Sequence, residues 1–169
     1  TYGFQVFRRT DNGWERISSR ANWDPIHSNN DRTPRVSLLA DMDEDDALEI
    51  VQLRGPRSGP VRVYAWNQDG SLVPGWPRKF DTPALNLILA DVTGDMKFEI
   101  ILTGIKEFAI FDLDGRPLHP SQPLGLYVTS SIVGDVTGDG IPELLISGEL
   151  PGSGAHKTIA WDVAHMKMA

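Results

Sequence analysis

The sequence predicts an all-β fold of about three propeller-type blades, each made of four antiparallel strands, and three observations predict it. Gly and Pro supply 16 and 12 of the 169 residues, a turn-rich composition that favours many short strands over long helices. A nine-residue acidic pattern occurs three times, each copy flanked by short apolar runs. Its first residue falls at Asp41, Asp91 and Asp135, at intervals of 50 and 44 residues. A period of that size, holding several short strands, is the signature of a propeller blade.

The chain reads as one repeat region, 1–169. Residues 1–34 supply the outer strands of a preceding blade and a connection. The run Gly3–Phe7 (GFQVF) is followed by the turn Asp11-Asn12-Gly13. Residues 35–83 form a blade, with strands expected near 36–40, 48–53, 61–66 and 72–77. Residues 84–127 form the next, near 85–90, 98–103, 107–111 and 116–123. Residues 128–169 form an incomplete blade, near 129–133, 143–148 and 157–162. In each blade the inner two strands flank the acidic turn. The outer two flank an Asp-Gly turn, Asn67–Gly70 and Asp112–Gly115, and Asp-Gly between apolar strands is a strong hairpin signal. An aromatic strand recurs in phase as VRVYAW, FAIF and TIAW, ending at Trp66, Phe111 and Trp161.

The acidic windows are DMDEDDALE, DVTGDMKFE and DVTGDGIPE, and they hold 12 of the 23 acidic residues. The net charge of −7 is therefore a property of three turns and not of the surface at large. Oxygen-bearing residues stand at positions 1, 3, 5 and 9: Asp41, Asp43, Asp45 and Glu49; Asp91, Thr93, Asp95 and Glu99; Asp135, Thr137, Asp139 and Glu143. This spacing suits calcium, a hard cation that takes 6–8 oxygens. Alternate side chains point into the turn, position 7 offers a carbonyl, and the acid at 9 closes the shell. Asp, Thr and Gly are also ordinary turn formers, but three windows in one frame ask for more than a turn. The helical calcium loop is excluded: position 12, where it needs Glu, holds Gln52, Leu102 and Ile146. Gly140 at position 6 makes the third loop the best match, since the backbone must bend there; Met96 and Asp46 hold that place in the others.

Other chemistries find no support. Cysteine is absent, so there is no disulfide framework, thiolate metal site or cysteine nucleophile. The acidic balance argues against nucleic-acid binding, and no apolar run approaches the roughly 18 residues of a membrane span. His27, His119, His156 and His165 have no partner at a zinc spacing, and nucleophile-elbow and phosphate-loop motifs are missing. No catalytic residue and no organic cofactor is expected. Of five tryptophans, Trp66, Trp76 and Trp161 read as packing, and Trp14 and Trp23 as candidates for an exposed platform that stacks on sugar.

The pattern resembles the FG-GAP (VCBS-like) repeats of integrin-α-type β-propellers, most closely those of bacterial secreted proteins. The resemblance is carried by VYAWNQDGSLVPGWP (63–77) and TPALNLILADVTGDMKFEIILTG (82–104). It implies a calcium-binding, extracellular or secreted propeller, with ligands at positions 1, 3, 5 and 9. The expected function is a non-enzymatic interaction or adhesion module with structural calcium. The alternatives are a lectin-like carbohydrate binder and an accessory domain of a secreted polysaccharide-degrading or proteolytic enzyme. Its protein or glycan partner is not readable. Propellers have four to eight blades, and the chain opens at Thr1 without Met. It is therefore expected to be part of a longer propeller, or else to close a ring with a second copy, the inner strands of one joining the outer strands of the other.

Overall fold

The computed structural model describes residues 4–20, 34–42, 45–56 and 59–166. Among them there is no helix, and thirteen strands form four antiparallel sheets. The chain divides into two compact units, Thr1–Pro56 with Val61–Lys79, and Arg57–Pro60 with Phe80–Ala169.

In the first unit, β1 (Phe4–Thr10) and β2 (Gly13–Arg20) form a hairpin across Asp11-Asn12. Gly13, at φ 120, takes a backbone conformation that a side chain disfavours. A four-stranded meander follows: β3 (Pro34–Ala40), β4 (Glu49–Arg54), β5 (Val61–Trp66) and β6 (Arg78–Phe80). Val51 and Leu53 of β4 and Val61, Val63 and Ala65 of β5 are fully buried. Trp66 stacks on Tyr64 at 5.1 Å between ring centroids, and the Arg54 guanidinium lies over both rings at 5.3 and 5.4 Å. The fourth strand is not the expected 72–77. Leu72 makes a single bridge to Trp66, and the strand begins only at Arg78. Pro74 and Pro77 have no N–H to give to a ladder, which moves regular pairing beyond them.

In the second unit, β7 (Asn86–Ala90), β8 (Glu99–Thr103), β9 (Glu107–Phe111) and β10 (Pro117–Pro123) form the next meander. Then β11 (Tyr127–Gly134), β12 (Glu143–Glu149) and β13 (His156–Trp161) form a three-stranded sheet. Ile101, Phe108 and Ile110 pack with Leu126, Leu144, Ile146 and Val163 in one apolar core. Each such side chain contributes roughly 1.5–3 kcal/mol on burial. Phe108 meets Trp161 edge to face at 5.1 Å. A polar tie joins the two sheets: Ser131 Oγ lies 2.8 Å from Thr103 Oγ1 and accepts from Asn86 Nδ2 at 3.0 Å. Val128 N–H donates to the Ile105 carbonyl at 2.8 Å.

β13 pairs with β12 from Leu144↔Trp161 to Glu149↔His156. The incomplete blade expected near 129–133, 143–148 and 157–162 is therefore this three-stranded sheet.

Two glycines of the last sheet test the packing. A Cβ on Gly148 would stand 2.3 Å from the Tyr127 carbonyl oxygen and 2.4 Å from Leu126 Cδ1, whereas one on Gly134 meets nothing within 4 Å. Gly134 pairs with Glu143 as Ala40 pairs with Glu49 and Ala90 with Glu99. Gly148→Ala is expected to destabilise by about 1–3 kcal/mol. Gly134→Ala should be neutral or stabilising by up to about 1 kcal/mol. Urea unfolding of the two variants measures both.

Candidate metal centres

Each acidic window folds as a turn closing the first two strands of its sheet. The register is the same in all three: Ala40↔Glu49, Ala90↔Glu99 and Gly134↔Glu143. The position-9 glutamate is thus the first residue of the returning strand, paired with the last residue of the outgoing one. All three glutamates are buried.

The hydrogen bonds repeat as the sequence does. The glutamate accepts from the N–H of position 2: Met42 at 2.7 Å, Val92 at 2.8 Å and Val136 at 2.8 Å. The position-3 hydroxyl donates to its other oxygen, from Thr93 at 3.3 Å and Thr137 at 3.0 Å. The first aspartate accepts from position 6: Asp46 at 3.0 Å, Met96 at 2.8 Å and Gly140 at 2.9 Å. The position-5 aspartate accepts from position 7: Ala47, Lys97 and Ile141, each at 2.9 Å. Short polar side chains bonding to nearby backbone are what hold an irregular turn without a ladder.

In the second and third loops, Asp91, Asp95 and Glu99, and Asp135, Asp139 and Glu143, each bring one carboxylate oxygen to within 4.8 Å of the others. Two unit charges about 4 Å apart repel by about 1 kcal/mol in water and about 4 kcal/mol at a protein-surface dielectric. Among the described residues, no Lys, Arg or His pairs with Glu99 or Glu143. Burial, and then the charges of Asp95 and Asp91, hold the Glu99 carboxyl above its ordinary range. Asp135 is held below its own by the N–H groups of Gly138 and Gly140. Three carboxylates offer about twelve lone-pair sites. The loop-two carboxylates accept six hydrogen bonds, so acceptor capacity remains. The donor set is hard oxygen throughout, which fits a hard divalent cation.

In the first loop, Asp41, Asp45 and Glu49 take the same places, and Asp43 lies outside the described residues. Position 6 bends in every copy: φ is 66 at Asp46, 67 at Met96 and 91 at Gly140. Position 4 bends as well, at Gly94 (φ 79) and Gly138 (φ 83). Each of these glycines donates its N–H to the first aspartate at 2.6 Å. The residue-level reading missed this role, although the shared Thr-Gly-Asp in the last two windows carried the signal.

The other candidates are scattered. His119, His156 and His165 join no acidic triad; His165 Nδ1 pairs with Asp162 at 2.7 Å on the surface. Trp66 and Trp76 are buried, while Trp14 is 68% exposed with Arg9 over its ring. Trp23 and His27 lie outside the described residues.

Two outcomes are expected. Met96 is 92% exposed, so its side chain does little packing to offset a left-handed backbone. Met96→Gly should stabilise the protein by about 1 kcal/mol. Asp46→Gly should gain less, since Asp tolerates this conformation; urea unfolding ranks the two. The second outcome concerns pH in chelator. Because the folded pKa of Glu99 is raised, its favourable contribution is present below the unfolded pKa and is lost as pH rises through the folded one. Glu99→Gln should therefore stabilise the metal-free protein at pH 7, and the gain should vanish toward pH 4. Thermal melts across that range test it.

Searches against family models, curated proteins and solved structures find no match to this chain.

Proposed function

We propose that this chain is a calcium-stabilised segment of a β-propeller, acting outside the cell as a non-enzymatic interaction module. The carrying observation is a buried glutamate, Glu99 or Glu143, held with two aspartates and with no basic side chain paired to it among the described residues. An ionised carboxylate in that position calls for a cation from solution.

Calcium is preferred over magnesium for two reasons. The loop offers ligands from five positions within nine residues, and calcium accepts many protein oxygens in flexible geometry. Magnesium demands a strict octahedron and keeps most of its water. Its role is structural: the ligands span the turn between two strands, so the ion ties those strands together. The threefold copy of the loop argues against catalysis, because catalytic carboxylates are not normally repeated in every unit. The propeller reading is supported by consecutive four-stranded meanders and by the Asn86–Ser131–Thr103 tie between neighbouring sheets.

Three calcium ions would bring the formal charge from −7 to about −1. A ligand that binds only the folded state adds about 2.7 kcal/mol per site at a hundredfold excess over Kd. The melting temperature is expected to rise in calcium and fall in chelator. Magnesium at equal concentration should give a smaller shift. A melting temperature that ignores both calcium and chelator overturns the proposal.

A further inference from the structure

The second and third loops touch. An ideal Cβ on Gly94 would stand 2.7 Å from Ile141 Cδ1 and 3.1 Å from Ile141 Cγ1. Gly94 is position 4 of its loop, and its N–H holds Asp91 Oδ1 at 2.6 Å. Ile141 is position 7 of the next loop, and its N–H holds Asp139 Oδ1 at 2.9 Å. The contact therefore joins two backbone segments that each orient an aspartate of a different triad. Each triad also contains a buried carboxylate, Glu99 or Glu143, that pairs with no basic side chain among the described residues. Each loop thus has its own reason to take up a cation.

Taking these loops as calcium sites, we propose that they bind cooperatively, with Ile141 on Gly94 as the coupling contact. A cation in the third loop fixes Asp139 and, through it, the Ile141 backbone. The Ile141 side chain then confines Gly94, the residue in the second loop with the most backbone freedom to lose. The ordering cost of the second site is partly met before its ion arrives, which is positive coupling without a change of shape. Repulsion between the two ions opposes this. The aspartates are exposed or half-buried, so salt screens that repulsion, while packing is insensitive to salt.

The test is calorimetric calcium titration of the full chain at physiological ionic strength, in an Asp45→Ala background that weakens the first loop. Asp139→Ala should weaken binding at the second loop about fivefold or more. Asp95→Ala should weaken the third loop by the same factor, because coupling is reciprocal. Ile141→Ala keeps the backbone N–H and carbonyl, and should bring both factors close to one while each loop still binds. Ile141→Val, which removes only the contacting Cδ1, should give an intermediate value and stands in if the alanine variant does not fold. Sites that ignore each other's mutation, or coupling that survives both Ile141 variants, overturn the coupling and leave the calcium reading standing. A parent chain that takes up no calcium overturns both.

Discussion

The buried glutamate that closes each acidic turn is the interaction on which the rest of this architecture depends. It sits at the first residue of a returning strand and accepts the N–H of the second residue of the turn. One carboxylate thereby sets where the outgoing strand stops, where the next begins and which residues face each other. A slip of one residue in that register would turn every side chain of the pair to the opposite face. Ile100 and Ile101, both fully buried, would then exchange faces and lose the neighbours they pack against. The charged residue at the edge and the apolar core behind it are two parts of one constraint.

In the second loop the same placement creates an electrostatic problem. Burial raises the cost of ionising Glu99, and Asp95 and Asp91 add repulsion. Backbone N–H groups relieve part of this, since a carboxylate that accepts several of them is favoured in its charged form. They relieve it most clearly at Asp135. The loops differ in how they meet the bend at position 6. Gly140 adopts it freely, Asp46 tolerates it, and Met96 takes it with its side chain almost wholly in solvent. A residue so placed contributes neither packing nor conformational ease, so the hydrogen bonds to Asp91 must hold the turn against its strain.

Within the second unit, neighbouring sheets are joined by two kinds of contact with different jobs. The apolar core of Phe108, Ile110, Leu144 and Ile146 provides most of the stabilisation and little direction. The Asn86–Ser131–Thr103 hydrogen bonds and the Val128 N–H to Ile105 carbonyl bond supply direction, because a buried polar group left unpaired costs about 1–3 kcal/mol. Gly148 belongs to this set: its missing side chain lets the Tyr127 carbonyl and Leu126 approach.

Much of this was determined by the sequence alone. The all-β class, the acidic frame and most strands follow from short apolar runs, turn residues and a repeated spacing. All of these are local properties that need no knowledge of neighbours. VRVYAW, for example, is β5 from end to end. The bend at position 6 was also readable, because Gly140 marks it. Tertiary structure decided what depends on contacts across the chain. It moved the fourth strand past Pro77 to Arg78–Phe80, where β5 offers no extended ladder to residues lacking an N–H. It set Ile141 against Gly94, which lie in different turns 47 residues apart. Spacing within a turn specifies which oxygens converge, since the turn itself brings them together. Which turns touch is specified only by how two sheets pack, and no residue pattern within either turn encodes that.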